Sequence, residues 1–265
     1  MNNFFKIANV DIVGAAKRYQ LISLLGWQDI RQRYRRSALG PFWLTISMGV
    51  MITTIGMVFG VIFKSPMQEF LPFFSLGIIF WTFISTVIIE ACTSFIAAES
   101  IIKQISIPLF IHILRMLWRN IIILGHNIVI FPLVLIGVGK PIGLVALLCI
   151  PGFILITINL TWISLIVAVI CTRYRDFPQI VASVTQILFY LTPIIWMPKV
   201  VPKDIGLYLL DFNPVFNLIE IVRAPMLGQL PTVNNWLVSI GLAIFGTIVS
   251  MAFYSNYKRR IAYWL

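Results

Sequence analysis

The sequence predicts an all-α membrane protein: six transmembrane helices, an N-terminal amphipathic interface helix ahead of them, and short re-entrant outer helices between spans five and six. Three observations predict it. First, 60% of the 265 residues are hydrophobic and only 11% are charged, too few charges to wet a soluble domain of this length. Second, six stretches carry no Asp, Glu, Lys or Arg: 38–63, 70–89, 121–139, 141–172, 177–198 and 224–257. A helix needs roughly 20 apolar residues to cross ~30 Å of hydrocarbon, so each stretch supplies one crossing. Only helices and closed barrels satisfy their backbone in lipid, and unbroken rather than alternating apolarity selects helices. Third, the net charge of +11 is sided. Lys6, Lys17, Arg18, Arg31, Arg33, Arg35 and Arg36 precede the first span, Lys258, Arg259 and Arg260 follow the last, and Lys103, Arg115, Arg119, Arg173 and Arg175 lie between spans on that side. The other side holds Lys64, Lys140, Lys199, Lys203 and Arg223. The positive-inside rule then predicts cytoplasmic N- and C-termini.

The elements follow in order. Trp27, Ile30 and Tyr34 share one face of a helical wheel over 26–36, with Asp29 and the arginines opposite, the pattern of a helix lying among lipid headgroups. Gly40-Pro41 opens span one, about 41–63, and span two runs from about Phe70 to Cys92. A loop over about 93–110 carries Glu99 and Lys103; span three begins near His112 and passes Arg115 and Arg119. Span four covers about 143–171, with a kink expected at Pro151-Gly152, and span five about 177–197. Residues 199–231 are mixed. Asn213-Pro214 reads as an N-cap with proline at the first helical position, so a helix is expected from 214 to about 224. Three central charges, each costing ~2.5–3.5 kcal/mol at mid-bilayer, argue that this segment dips and returns. Span six covers about 235–256. The chain thus divides into an N-terminus and interface helix (1–40), spans one to five (41–198), outer gate helices (199–231) and span six with its tail (235–265).

Little here suits catalysis. The only Gly-Lys pair, Gly139-Lys140, precedes Pro141, so no phosphate-binding glycine loop is present and ATP energy must come from another polypeptide. Nine acidic residues form no clear ligand pair, and His112 and His126 have no carboxylate beside them in sequence. Neither a cofactor nor a metal site is expected in this chain. Cys92, Cys149 and Cys171 suit neither a disulfide framework nor zinc and read as small buried hydrophobes. Glu90 ends span two and Arg119 lies two turns into span three, so an intramembrane ion pair between them is expected. The basic residues flank spans, where topology and anionic lipid explain them; no nucleic-acid partner is expected.

Asp29-Ile30 with Arg33-Tyr34-Arg35-Arg36-Ser37 and Leu39-Gly40-Pro41-Phe42-Trp43 resembles the interface-helix signature of ABC-2 type permeases, in particular those exporting O-antigen, capsule or teichoic acid polymers. Arg173-Tyr174-Arg175-Asp176-Phe177, Thr192-Pro193-Ile194-Ile195-Trp196, and Asn213-Pro214 with Arg223 resemble the same family's inner turn, span-five end and outer gate. Ile46-Ser47-Met48 stands where many relatives have a proline. The resemblance implies a homodimer in the bacterial inner membrane, joined to two copies of a separate ATPase that binds ATP and Mg. It implies a coupling helix near 98–108, with Glu99, Lys103 and Gln104 facing the ATPase. It implies a channel between spans one and five, lined by Phe59, Phe63, Phe189, Tyr190 and Trp196. An outer gate would comprise Tyr208, Phe212, Asn213, Pro214, Phe216 and Arg223. The expected substrate is a polysaccharide linked to undecaprenyl pyrophosphate, most simply O-antigen, its pyrophosphate near Trp27, Arg33, Tyr34, Arg35 and Arg36. A drug or lipid exporter of the same fold, or a membrane-embedded sugar-transfer enzyme, are the alternatives.

Overall fold

Continuous apolar runs fold here into helices packed around one central member. The computed structural model describes residues 2–35, 42–62, 65–200 and 210–265. Arg36, Phe63 and Tyr208 lie outside the described residues. The helices are α1 (Asn2–Ala16), α2 (Tyr19–Tyr34), α3 (Phe42–Ile62), α4 (Met67–Ala91), α5 (Glu99–Gln104), α6 (Phe110–Asn127), α7 (Ile130–Val138), α8 (Cys149–Arg173), α9 (Phe177–Leu191), α10 (Pro214–Met226) and α11 (Val233–Trp264). No strand occurs among the described residues. Among the described residues, five segments are long and apolar enough to cross a membrane: α3, α4, α6 with α7, α8 with its preceding 3-10 turn, and α11. The protein is a multi-pass membrane protein.

Prolines set the irregularities. Pro132 has no N–H and crowds the carbonyl four residues back, and the third span accordingly breaks between Asn127 and Ile130. Gly139, at φ +71°, then caps α7 in the left-handed region, with Lys140 N–H donating to Leu135 O at 3.0 Å. The kink expected at Pro151-Gly152 is instead a 3-10 turn over Leu144–Leu148, ahead of Pro151, which sits in the first turn of α8. Span five is shorter than expected. α9 ends at Leu191 because Thr192 precedes Pro193 and takes an extended backbone (φ −92°, ψ 135°). Its 15 residues rise about 22 Å, short of a full crossing. α10 runs to Met226 and α11 to Trp264, each beyond the expected end; α11 carries Lys258, Arg259 and Arg260 on its last turns, where charges no longer need hydrocarbon.

α4 is the hub. It packs on α3, α6, α7, α8, α9 and α10, and 72% of its spanning window is buried, against 22% in α3 and in α11. Phe70, Phe74, Ile79, Ile84 and Val87 anchor this core. A second core joins α1 to α6, α8 and α11 through Ala8, Ala15, Ile111, Leu165 and Ile261. α1 has no counterpart in the sequence expectation. Its Asp11 accepts from Phe110 N–H (3.0 Å) and Tyr254 Oη (2.8 Å) and pairs with Lys258 Nζ (2.6 Å), tying the N-terminus to the last helix.

Candidate functional site

Three regions carry the residues singled out by sequence. The first lies where α2 meets the end of α4 and the start of α6. The helical wheel groups Trp27 with Ile30 and Tyr34, but the structure buries Ile22, Gly26 and Ile30 and leaves Trp27 52% exposed. The closest approach explains the shift: a Cβ on Gly26 would stand 2.8 Å from Trp118 Cδ1 and 3.3 Å from the Arg115 carbonyl, so α2 meets α6 along the glycine side.

This approach brings charges together. Asp29 accepts from Arg115 through both carboxylate oxygens, with Nε to Oδ2 at 2.7 Å, and from Arg119 Nη1 at 3.1 Å. Arg119 Nη2 reaches Glu90 Oε2 at 2.6 Å, and Asn120 Nδ2 donates to the same oxygen at 2.6 Å. Arg33 Nη1 closes the cluster on Glu90 Oε1 at 3.3 Å. Three guanidiniums thus face two carboxylates drawn from three helices. Tyr34 packs beside it, and burial raises its phenol pKa, with Arg33 lowering it and Glu90 raising it. A cavity of about 280 Å³ opens next to the cluster, bordered by Asp29, Glu90, Ser94, His112 and Arg119. Both ring nitrogens of His112 and Nε of Arg119 are buried without a hydrogen-bond partner among the described residues. Arg35 is exposed. Sequence reasoning missed Asp29 and Arg115 as members, because their pairing runs between separate helices. The signal available was one acid among basic residues on an amphipathic helix.

The second region is α5. Glu99 and Lys103 pair at 2.7 Å across one turn, and this hydrogen bond and charge hold the Glu99 carboxyl below its usual range. Ile102 tucks into the second core while Lys103, Gln104 and Ile105 face outward. α5 is thus a small exposed rod seated on the bundle by one apolar side.

The third region is the opposite end. Asn213 caps α10, its Oδ1 accepting from Val215 and Phe216 N–H at 2.9 and 3.1 Å, while its Nδ2 donates to Thr192 Oγ1 at 3.1 Å. Pro214 holds the first helical position. Arg223 is fully buried. It donates to Glu220 Oε2 through Nε and Nη2 (2.9 and 2.5 Å) and to Pro193 O through Nη1 (2.7 Å), with its guanidinium 3.9 Å above the Phe73 ring. Phe216 is buried and Phe212 is 78% exposed. Pro193 O, in the irregular segment just beyond the end of α9, thus has Arg223 as its donor.

Of the aromatics, Phe189 meets Trp81 (5.5 Å) and Tyr190 (5.3 Å), and Trp196 Nε1 donates to Tyr190 O at 3.3 Å. Phe59 packs instead against the core beside α4. α3 rests on α4 and α6, while α9 rests on α4 and α8, and Phe59 and Phe189 both pack against the core around α4.

A bundle of spanning helices is the architecture of a multi-pass membrane protein, and the chain belongs to the ABC-2 type transporter family, whose pattern its residues 20–227 match. Among curated proteins it is similar to two O-antigen export system permease proteins, RfbA, of Klebsiella pneumoniae. One is 22% identical over 251 residues and the other 26% over 256; each alignment covers 92% of this chain and 94% of the relative. An RfbA permease of Myxococcus xanthus is 22% identical over 209 residues, covering 77% of this chain and 78% of its own length.

Proposed function

We propose that this chain is the membrane subunit of an ATP-driven polysaccharide exporter in a bacterial inner membrane, with both termini cytoplasmic, working as a homodimer with two copies of a separate ATPase subunit. The observation that carries the reading is similarity over nearly the whole length to O-antigen export permeases. The substrate is an undecaprenyl-pyrophosphate-linked glycan of O-antigen type. The sixth crossing is made by α9 together with the bent Thr192–Trp196 segment at its end, and α10 is the re-entrant outer helix that returns the chain to α11. The sided basic residues support this orientation, and the exposed apolar faces of α3 and α9 suit lipid and the second permease.

The ATPase presses on α5. α5 lies in the link between α4 and α6, and the Asp29–Arg115–Arg119–Glu90 cluster fastens both of these helices to α2. A push on α5 therefore moves α2, α4 and α6 as one body rather than bending the loop. In the dimer the aromatics of α9 face a glycan path with α3, where rings stack on the apolar faces of sugars without fixing one position.

Deleting the gene should remove surface polysaccharide and leave the lipid-linked glycan on the cytoplasmic side; complementation should restore export only when the ATPase is present. Normal surface polysaccharide in the deletion strain would overturn the reading.

A further inference from the structure

Phe253, Tyr257, Arg260 and Trp264 follow one another at spacings of four, three and four along α11 and so line one face of its last three turns. That face looks across at the end of α8. Between them lies a cavity of about 500 Å³, walled by Val169, Ile170, Arg173, Tyr174 and Phe177 on one side and by the α11 row on the other. The aromatic row is continuous, with ring centroids 4.8 Å apart for Phe253–Tyr257 and 5.7 Å for Tyr257–Trp264. Arg173 lies 5.5 Å over the Trp264 ring and Arg260 6.0 Å over Tyr257.

The cavity is graded along the helix axes. Val169, Ile170 and Phe253 lie toward the membrane, and Arg173, Arg260 and Trp264 toward the helix ends. No acidic residue lines it. Neither arginine pairs with a carboxylate among the described residues, whereas Lys258, on the same last turns of α11, is neutralised by Asp11. The carbonyl end of α8 adds partial negative charge, which Arg173 on its last turn offsets. What remains is a pair of guanidiniums with no carboxylate partner among the described residues, braced by ring faces, above an apolar slot at the depth where a helix leaves hydrocarbon.

We infer that this corner is a binding site for one anionic phospholipid of the surrounding leaflet. Its phosphate sits between Arg173 and Arg260, and the first segment of an acyl chain lies along Val169, Ile170 and Phe253. Guanidinium suits phosphate because its planar fork donates two parallel hydrogen bonds. A zwitterionic lipid brings a cation that two arginines repel, so the site selects for net negative charge. The inference depends on the chain spanning a membrane and not on what it exports.

The test uses the purified full chain in detergent, titrated with brominated-chain phosphatidylglycerol or phosphatidylcholine while tryptophan fluorescence is followed. Phosphatidylglycerol should quench saturably, and the saturable part should vanish in Trp264→Phe. Arg173→Gln with Arg260→Gln should raise the half-saturating concentration about tenfold or more, to the phosphatidylcholine level, as expected for two cations near a phosphate. Arg173→Lys with Arg260→Lys should keep most of the preference, and millimolar inorganic phosphate should not compete. If the double glutamine variant does not assemble, Arg260→Gln alone, on the exposed end of α11, gives the same reading at smaller amplitude. Equal quenching by the two lipids, an unchanged titration in the glutamine variants, or competition by free phosphate would each overturn the proposal.

Discussion

The two ends of the molecule both use arginine against carboxylate, and they use it differently. At the α10 end, Arg223 is wholly buried, its acid is Glu220 on the same helix, and its third contact is the backbone carbonyl of Pro193, just past the end of α9. Its partners are few and fixed: Glu220 one turn away, the Pro193 carbonyl and the Phe73 ring. At the α5 end, three arginines share two carboxylates, the partners come from α2, α4 and α6, and side-chain exposures run from 11% at Asp29 to 49% at Arg33. A saturated buried arginine has one arrangement. A partly exposed cluster shared by three helices ties α2, α4 and α6 to one another while its charges keep some contact with water. The first end holds a local shape, and on the proposed function the second is the one that would carry a displacement between helices.

Replacing Arg223 should break the holding end hardest. Arg223→Ala leaves the Glu220 charge and the Pro193 carbonyl without their main partner in a buried site, which costs about 3–5 kcal/mol. Thermal unfolding in detergent should show a large drop, with little protein reaching the membrane. Arg223→Lys should recover only part, since a point charge cannot serve Glu220 and Pro193 O in one plane.

At the other end, Asp29→Asn should leave Arg115 and Arg119 competing for Glu90 and cost about 1–3 kcal/mol, discounted because these groups keep some water. The sharper result is functional. Insertion and dimerisation should persist while ATP hydrolysis by the partner no longer drives export, measured as the ratio of polymer exported to phosphate released. Unchanged coupling in Asp29→Asn would dissolve the distinction between the two ends.

Sequence carried much of this and failed at identifiable places. The spans were legible because hydrocarbon tolerates no free charge, so absence of charge over 20 residues is itself the signal. Asn213-Pro214 was legible because capping is local, and its hydrogen bonds lie within three residues. Span five was read too long because apolarity runs on through Trp196, whereas the backbone obeys Pro193. α1 was invisible to a search for apolar runs: its Asp11 and Lys6 interrupt it, and its stability comes from α6 and α11 far along the chain. The latch was legible only as Glu90 with Arg119, which sit at matching depth on consecutive spans. Asp29 needed the third dimension, because the helix that carries it is placed by Gly26 meeting Trp118.

That glycine offers a way to separate latch from contact. Gly26→Ala adds one methyl 2.8 Å from the Trp118 ring, inside ordinary contact distance, so α2 must back away or Trp118, itself 40% exposed, must turn outward. Overpacking of this size costs about 1–3 kcal/mol. If α2 withdraws, the Arg33–Glu90 and Arg115–Asp29 contacts lengthen together and coupling falls as in Asp29→Asn; Gly26→Ala with Trp118→Leu should restore both stability and coupling.

The smallest structural effect is expected at α5. The Glu99–Lys103 pair is solvent-exposed and buries nothing, so Glu99→Ala or Lys103→Ala should leave the melting temperature unchanged within measurement error. Export should nonetheless fall if, as proposed, the outward side of α5 is the side offered to the ATPase. Charge reversal of both residues, Glu99→Lys with Lys103→Glu, keeps the intrahelical pair while inverting what a partner meets. Normal export in that variant would place the contact elsewhere on α5, at Gln104 or Ile105; lost export with normal folding would locate it on this pair.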